Sequence, residues 1–441
     1  MPSLLHRNWV PEPCENYVQG LAKFASEQSA EKVANEISRL TVLNRKIYER
    51  DCFNLNPAGN VMNPRAEAFL AENLGSRPSL GYPGDKYEMG LEAVEQIEVI
   101  TAELCTEIFQ AKYAEIRVAS GAMANLYAFM AISKPGDKII VPPASIGGHV
   151  THHMAGAAGL YGLEIHEAPV DAAKFTVDLD GLRKLARNLN PKLITIGGSL
   201  NLFPHPVKEV RAIADEVSAK VLFDAAHLCG MIAGRAWANP LSEGVHLLTM
   251  STYKSLGGPA GGLIVTNDAD LAQRLDQIAY PGMTANFDVA KSAALALTML
   301  DWREYGQDYA KAMVRVAKAL AQELDRNGMP IFAGAGGFTN SHQFALRAEK
   351  FGGGQTASKK LRKANLLVSA IGLPIPPVAG DLNGIRFGTP EIVRWGVDEK
   401  DARQLAEFIS KALTANDPAS LAAEVSEFRL QFNKLHYVIQ G

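Results

Sequence analysis

The chain has 441 residues, 47% of them hydrophobic, enough to fill more than one core and to predict two or three domains. Lys plus Arg number 44 against 47 Asp plus Glu, a net charge of −3 with both signs spread along the chain. No basic block of nucleic-acid type appears and no apolar stretch is long enough to span a bilayer, so neither nucleic acid nor membrane is an expected partner. The first residues lack the apolar core of a signal peptide, and Cys14, Cys52, Cys105 and Cys229 have neither metal spacing nor a CxxC. A reduced, cytoplasmic enzyme is the expectation.

Residues 14–50 carry helical periodicity and read as an N-terminal arm, which we extend over 1–53. Loops follow at 54–64 and 76–90, with a short helix between them and a strong amphipathic helix over 90–109. From there strand and helix alternate. Strands are expected at 115–118, 138–141, 164–168, 192–196, 220–224, 247–251 and 262–266. Helices are expected at 120–132, 151–159, 178–188 and 207–217. This alternation predicts an α/β fold with a mostly parallel sheet covered on both faces, whose ligands sit at the carboxyl ends of the strands. A helix at 271–279 and a long one over 287–327 lead to strands near 330–332, 343–346 and 384–387 and helices at 356–364, 400–413 and 418–432. These form a smaller α+β part. The expected domains are 1–53, 54–300 and 301–441.

The centre of the chain is the stretch Leu247–Asp268, where Lys254 sits between two apolar strands amid Ser, Thr and Gly. Partial desolvation there lowers an amine's pKa and suits Schiff-base formation, although Lys254 by itself reads more readily as a surface lysine. Other groups fall at strand ends. Ser120, Gly121 and Ala122 open a helix, a natural anion site. Asp224 closes the run Val221-Leu222-Phe223 and is placed either to hold a protonated ring nitrogen or to cap a helix. His149 follows two glycines and can stack on a ring. His152 and His153 lack a neighbouring carboxylate or thiol ligand and read as surface or core residues, with no metal expected. Arg386, before the turn at Gly388-Thr389-Pro390, suits bidentate capture of a carboxylate or a structural ion pair.

Taken together, Asp224-Ala225-Ala226-His227, Thr252-Tyr253-Lys254, Gly258-Pro259-Ala260-Gly261-Gly262 and Arg386-Phe387-Gly388-Thr389-Pro390 resemble the serine hydroxymethyltransferase family. So do Gly81-Tyr82-Pro83-Gly84, Ser120 to Asn125 and Gly147 to His152, in the same order over most of 54–396. The resemblance implies a fold-type I (aspartate aminotransferase-like) enzyme dependent on pyridoxal 5'-phosphate, a homodimer or tetramer with the active site at the subunit interface. It implies Lys254 as the Schiff-base lysine, Asp224 as the partner of the ring nitrogen, His149 as the stacking group and His227 beside the cofactor and substrate carboxylate. It places Ser120, Gly121, Ala122 and Thr252 with the cofactor, Gly282 near a loop that reaches a neighbouring subunit's phosphate, and Arg386, Tyr87 and Glu88 with the substrate.

The departures are specific. The family's Tyr-Ala-Glu-Gly-Tyr-Pro-Gly reads Pro78-Ser79-Leu80-Gly81-Tyr82-Pro83-Gly84 here, so Leu80 replaces the acid/base glutamate of the folate-coupled reaction. A leucine relays no proton. The substrate-contacting serine of Ala-Ser-Glu-Asn is gone from Pro57-Ala58-Gly59-Asn60, Tyr253 replaces a histidine, Ala260 an arginine and Glu88 a tyrosine. The reading is therefore folate-independent aldolase or transaldolase chemistry on a β-hydroxy-α-amino acid or glycine, with an aldehyde as the second small molecule. Tyr253, His149 and His227 are the candidate proton carriers. The alternatives are a serine or α-methylserine hydroxymethyltransferase with an altered folate site, other chemistry at Cα (transamination, racemisation, decarboxylation), and a cofactor-binding protein without turnover.

Overall fold

A computed structural model describes residues 3–440; Met1 and Pro2 of the expected arm and Gly441 of the expected C-terminal part lie outside it. Its centre is a seven-stranded sheet of β1 (Tyr113–Val118), β2 (Lys138–Val141), β3 (Glu164–Glu167), β4 (Leu193–Gly197), β5 (Lys220–Asp224), β6 (Leu247–Ser251) and β7 (Gly262–Thr266). The strand order is β1-β7-β6-β5-β4-β2-β3. Only β7 runs against its neighbours. Strands β4, β6 and β7 are buried along their whole length, as expected for continuous apolar runs covered on both faces. One face packs on the helix Gly121–Ile132 through Ala124, Tyr127, Ala128 and Phe129.

Register then fixes the site. Asp224 pairs with Thr249, Ser251 with Gly262, and Gly262 with Val118. The ends of β1, β5 and β6 and the start of antiparallel β7 therefore share one rim. That rim carries Ser120, Asp224 and Thr252 to Lys254.

The helix Val289–Arg326 runs 38 residues through the expected boundary at 300/301 and leads to a second sheet. There β8 (Gln343–Arg347), β9 (Ser369–Ile371) and β10 (Gly384–Gly388) pair antiparallel in the order β8-β10-β9, with Arg386 on the middle strand. Among the described residues no helix is long and apolar enough to cross a membrane.

Three expected elements differ. In place of a helix over 151–159 there is a short turn at Val150–His152 and one helical turn at Ala157–Leu160. The backbone folds back between them so closely that a Cβ at Gly156 would lie 2.0 Å from the Val150 carbonyl, and Val150, Met154 and Leu160 face solvent instead of forming a buried stripe. The expected strand near 330–332 is a single bridge, Ile331 to Leu346. The loop at 76–90 contains a small hairpin, Gly81–Tyr82 against Asp85–Lys86.

The arm forms two helices, Glu12–Glu27 and Ala30–Lys46. Glu15 is the only buried residue in the first, and the second has none. Their apolar stripe, including Leu21, Ile37, Leu40 and Val42, is exposed within one chain.

Candidate active site

Lys254 is 7% exposed, and its Nζ lies 3.2 Å from His227 Nε2. Burial depresses its amine from an ordinary 10.5 to about 8, against the opposing pull of Asp224. The turn that follows is closed by Gly257 N–H to the Lys254 carbonyl, Gly258 N–H to the Thr252 carbonyl, and Thr252 Oγ1 to the Pro259 carbonyl. Thr252 thus shapes the turn, while half-buried Tyr253 stands with its ring centroid 6.0 Å from Lys254 Nζ.

Asp224 is buried at the end of β5. Its Oδ1 accepts from Ala226 N–H at 3.0 Å, and its Oδ2 from Asn125 Nδ2 at 3.0 Å and His152 Nε2 at 2.9 Å. Burial alone would raise this carboxyl. The hydrogen bond and charge of His152, with help from His149 and the Ala226 amide, outweigh burial and hold it far below the usual carboxylate range. Asn125 is itself fixed by Thr249 Oγ1, which donates to its Oδ1 at 2.7 Å. Asp224 is therefore held ionised in a dry setting.

His227 is equally buried. Its Nε2 faces Arg386 Nη1 at 3.3 Å as well as Lys254, and its Nδ1 faces Gln343 Nε2 at 3.4 Å. Burial first, then the Lys254 and Arg386 charges, push its pKa well down, so it is neutral. Arg386 also donates from Nη1 to the Ser199 carbonyl at 2.6 Å and from Nε to Ser369 Oγ at 3.1 Å. Among the described residues it has no carboxylate partner. Burial lowers it to about 10. A buried guanidinium without an anion is costly to the fold and ready to accept one. His149 is half-buried, with Nδ1 2.8 Å from Thr151 Oγ1 and a pKa lowered mainly by burial.

Ser120 caps the Gly121–Ile132 helix, its Oγ accepting from Met123 N–H at 3.2 Å. A Cβ on Gly121 would lie 2.0 Å from Ser251 Oγ, so the helix start and the Ser251 side chain at the end of β6 pack closely. Ala122 is exposed beside them. The result is a helix N-terminus opening onto the rim that holds Lys254.

Of the residues expected at the site, the structure gathers Lys254, Asp224, His227, Arg386 and His149, with Tyr253 and Thr252 adjoining Lys254 and Ser120, Gly121 and Ala122 at the rim. Among the described residues no hydrogen bond joins Tyr87, Glu88 or Gly282 to the Lys254 group. Tyr87 is 80% exposed and Gly282 is also on the surface. Hydrogen bonds tie the hairpin and its flanks to Glu95, Glu98, Asp276 and Asn286, none of them in the Lys254 group. Asn125 and His152 are site supports that the sequence reading left without a role. The available signal was spacing: Asn125 stands one helical turn after Gly121, on the face that meets the sheet.

An amine at a strand end, beside a buried carboxylate and a helix N-terminus, defines the class of α/β enzyme that works through a lysine-bound aldehyde cofactor. A family profile described as serine hydroxymethyltransferase matches residues 32–409. An alpha-methylserine aldolase of a Ralstonia species is 61% identical over 433 residues, 98% of this chain and 99% of the relative. One from Variovorax paradoxus is 60% identical over the full length of both chains. A serine hydroxymethyltransferase of Staphylothermus marinus is 37% identical over 405 residues, 91% of this chain and 92% of the relative. The chain belongs to the serine hydroxymethyltransferase family, fold-type I enzymes that depend on pyridoxal phosphate. The residues present fit that group: an amine with depressed basicity, a carboxylate kept charged, an imidazole free to cover a ring, and a glycine-tight helix start for a phosphate.

Proposed function

We propose that this enzyme is a folate-independent aldolase that splits an α-methylserine-type β-hydroxy amino acid into an aldehyde and the shorter amino acid. Bound pyridoxal phosphate supplies an electron sink for a bond broken at the α-carbon. Lys254 would hold its aldehyde carbon, Asp224 its ring nitrogen, His149 its ring face, and Ser120, Gly121 and Ala122 its phosphate, with Thr252 fixing the turn beneath. Arg386 would take the substrate carboxylate, replacing an unpaired buried charge with a bidentate ion pair and so orienting the α-carbon. His227, held neutral, turns Nε2 toward both Arg386 and Lys254 and so helps to keep them in place. Tyr253 is the group beside Lys254 with a proton to lend.

The observation that carries this reading is the gathering of Lys254, Asp224, His149 and the Ser120 helix start at one rim, combined with Leu80 where the family places the carboxylate of folate chemistry. Relatives named alpha-methylserine aldolases, 60–61% identical over nearly the whole chain, support the same substrate class. The exposed arm stripe, and the lack among the described residues of any hydrogen bond from Tyr87, Glu88 or Gly282 to the Lys254 group, support a homodimer, or a tetramer built from dimers, in which a second copy completes each site. Initial rates of aldehyde release from α-methylserine, serine and threonine, with and without tetrahydrofolate, test the proposal. Release from α-methylserine that ignores folate is expected; activity that appears only with folate overturns it.

A further inference from the structure

The Lys254 pocket has a gap in its chemistry. Breaking Cα–Cβ in a β-hydroxy amino acid requires a base for the hydroxyl proton. Within one chain the pocket's carboxylate is Asp224, and both its oxygens are committed to His152, Asn125 and Ala226. His227 faces two cationic side chains, His149 is bonded to Thr151, and the Tyr253 hydroxyl has no hydrogen-bonded acceptor among the described residues to make it a base. Lys254 and Arg386 leave the pocket rich in positive charge.

The hairpin flank carries the complement. Glu88 is half-buried, and its Oε2 accepts from the Leu80 backbone N–H at 3.3 Å. Among the described residues no cation pairs with it. A carboxylate therefore sits against the very residue where the family's has been lost, eight residues on in sequence and adjacent in space. The base of the hairpin is firm. Lys86 Nζ donates to Glu98 Oε2 at 2.6 Å and to the Gly81 carbonyl at 3.2 Å, and Ser79 Oγ donates to Glu98 Oε1 at 2.5 Å. Around Glu88, Tyr82, Tyr87 and Met89 are 58%, 80% and 83% exposed, an apolar collar that one chain leaves uncovered. A free anion within an apolar collar matches an anion-poor cationic pocket on a second copy of the same chain.

We propose that Glu88 of one copy enters the Lys254–Arg386 pocket of a second copy and is the base that takes the substrate's hydroxyl proton, standing in for the carboxylate missing at Leu80. The proton passes from the β-oxygen to the Glu88 carboxylate, and the O–H electron pair becomes the second C–O bond of the aldehyde. The Cα–Cβ pair stays with Cα. The proton is then returned to Cα, so Glu88 is regenerated and no net proton is consumed. This step rests on the aldol reading and on a site shared between copies.

The test uses the holoenzyme in three forms. Wild type should release aldehyde from α-methylserine without folate. Glu88→Gln should lose at least about 100-fold in kcat, while the spectral titration of the bound cofactor with alanine keeps its midpoint within about threefold. Glu88→Asp should recover part of the loss. A tandem-purified hybrid with one Lys254→Ala and one Glu88→Gln subunit should regain about half of wild-type activity, because one of its two sites then has both groups. Equal thermal melts among the variants show that the fold is kept. Wild-type activity in Glu88→Gln, weakened alanine binding as the main defect, or a dead hybrid overturns the inference while the aldol reading stands. Wild type that releases no aldehyde overturns both.

Discussion

Lys254 and Arg386 are two cations buried in one pocket where, among the described residues, Asp224 is the counter-charge, and each gives a prediction. Lys254 has its amine depressed from 10.5 to about 8. Between pH 8 and 10.5 the unfolded chain keeps a proton that the folded chain has released, so stability rises with pH across that window. The penalty of the buried ammonium is fully felt below it, about 3 kcal/mol by linkage. Lys254→Met should therefore raise the melting temperature of the cofactor-free protein at pH 7, by a margin that shrinks toward pH 10. A pH-independent difference would show that the amine is not depressed. Arg386→Lys keeps a charge but loses the planar fork, so KM for the amino acid should rise roughly 10- to 100-fold with a smaller fall in kcat. An unchanged KM would remove Arg386 from the carboxylate site. Lys254, Asp224 and Arg386 were singled out in the sequence only by motifs that keep their order along the chain, since each alone also reads as a surface lysine, a helix cap or a structural ion pair. Asn125 and His152 were not, because their work on Asp224 depends on which strand end a helix and a turn happen to face.

At the scale of the element, the sheet strands could be read because runs such as Val221-Leu222-Phe223 are continuous and apolar, and buried parallel strands demand that. The expected helix at 151–159 is absent for the opposite reason. Gly156 permits a backbone approach that has no periodic signature, and Val150 and Met154 point to solvent. The hairpin at 81–86 has two-residue strands, too short to show alternation. The pairing of Phe53–Asn54 with Leu366–Leu367 joins segments more than 300 residues apart and leaves no local trace. The helix start at Gly121 has a sharp test. Gly121→Ala places a methyl 2.0 Å from Ser251 Oγ and 3.1 Å from its Cβ, so the Ser251 hydroxyl must rotate away and its side chain give by a few tenths of an ångström. A stability loss of about 1–3 kcal/mol is expected, with weaker uptake of pyridoxal phosphate by the cofactor-free protein. Unchanged cofactor affinity, measured by fluorescence titration, would mean that the phosphate is held elsewhere.

For the whole molecule, one chain is an incomplete object. The apolar stripe of the two arm helices buries nothing on its own body, and the hairpin flank presents Tyr87 and Met89 to water. We propose that a second copy covers both and adds residues to the site. Ile37→Asp with Leu40→Asp should leave the fold intact, since neither residue is buried, but shift sedimentation toward monomer and lower activity per subunit in proportion. An unchanged sedimentation profile would place the interface elsewhere. Fold class and cofactor dependence followed from motifs that stay in register along the chain, whereas the assembly had to be inferred from what a single chain leaves uncovered.

The central claim is that the cofactor-holding half of this family's chemistry works here without the folate half. It is tested most directly by product stoichiometry, with α-methylserine as substrate and folate rigorously absent. Formaldehyde and alanine should appear in equal amounts, and Lys254→Ala should abolish both. Formaldehyde that forms only after tetrahydrofolate is added, or alanine without formaldehyde, would contradict the account.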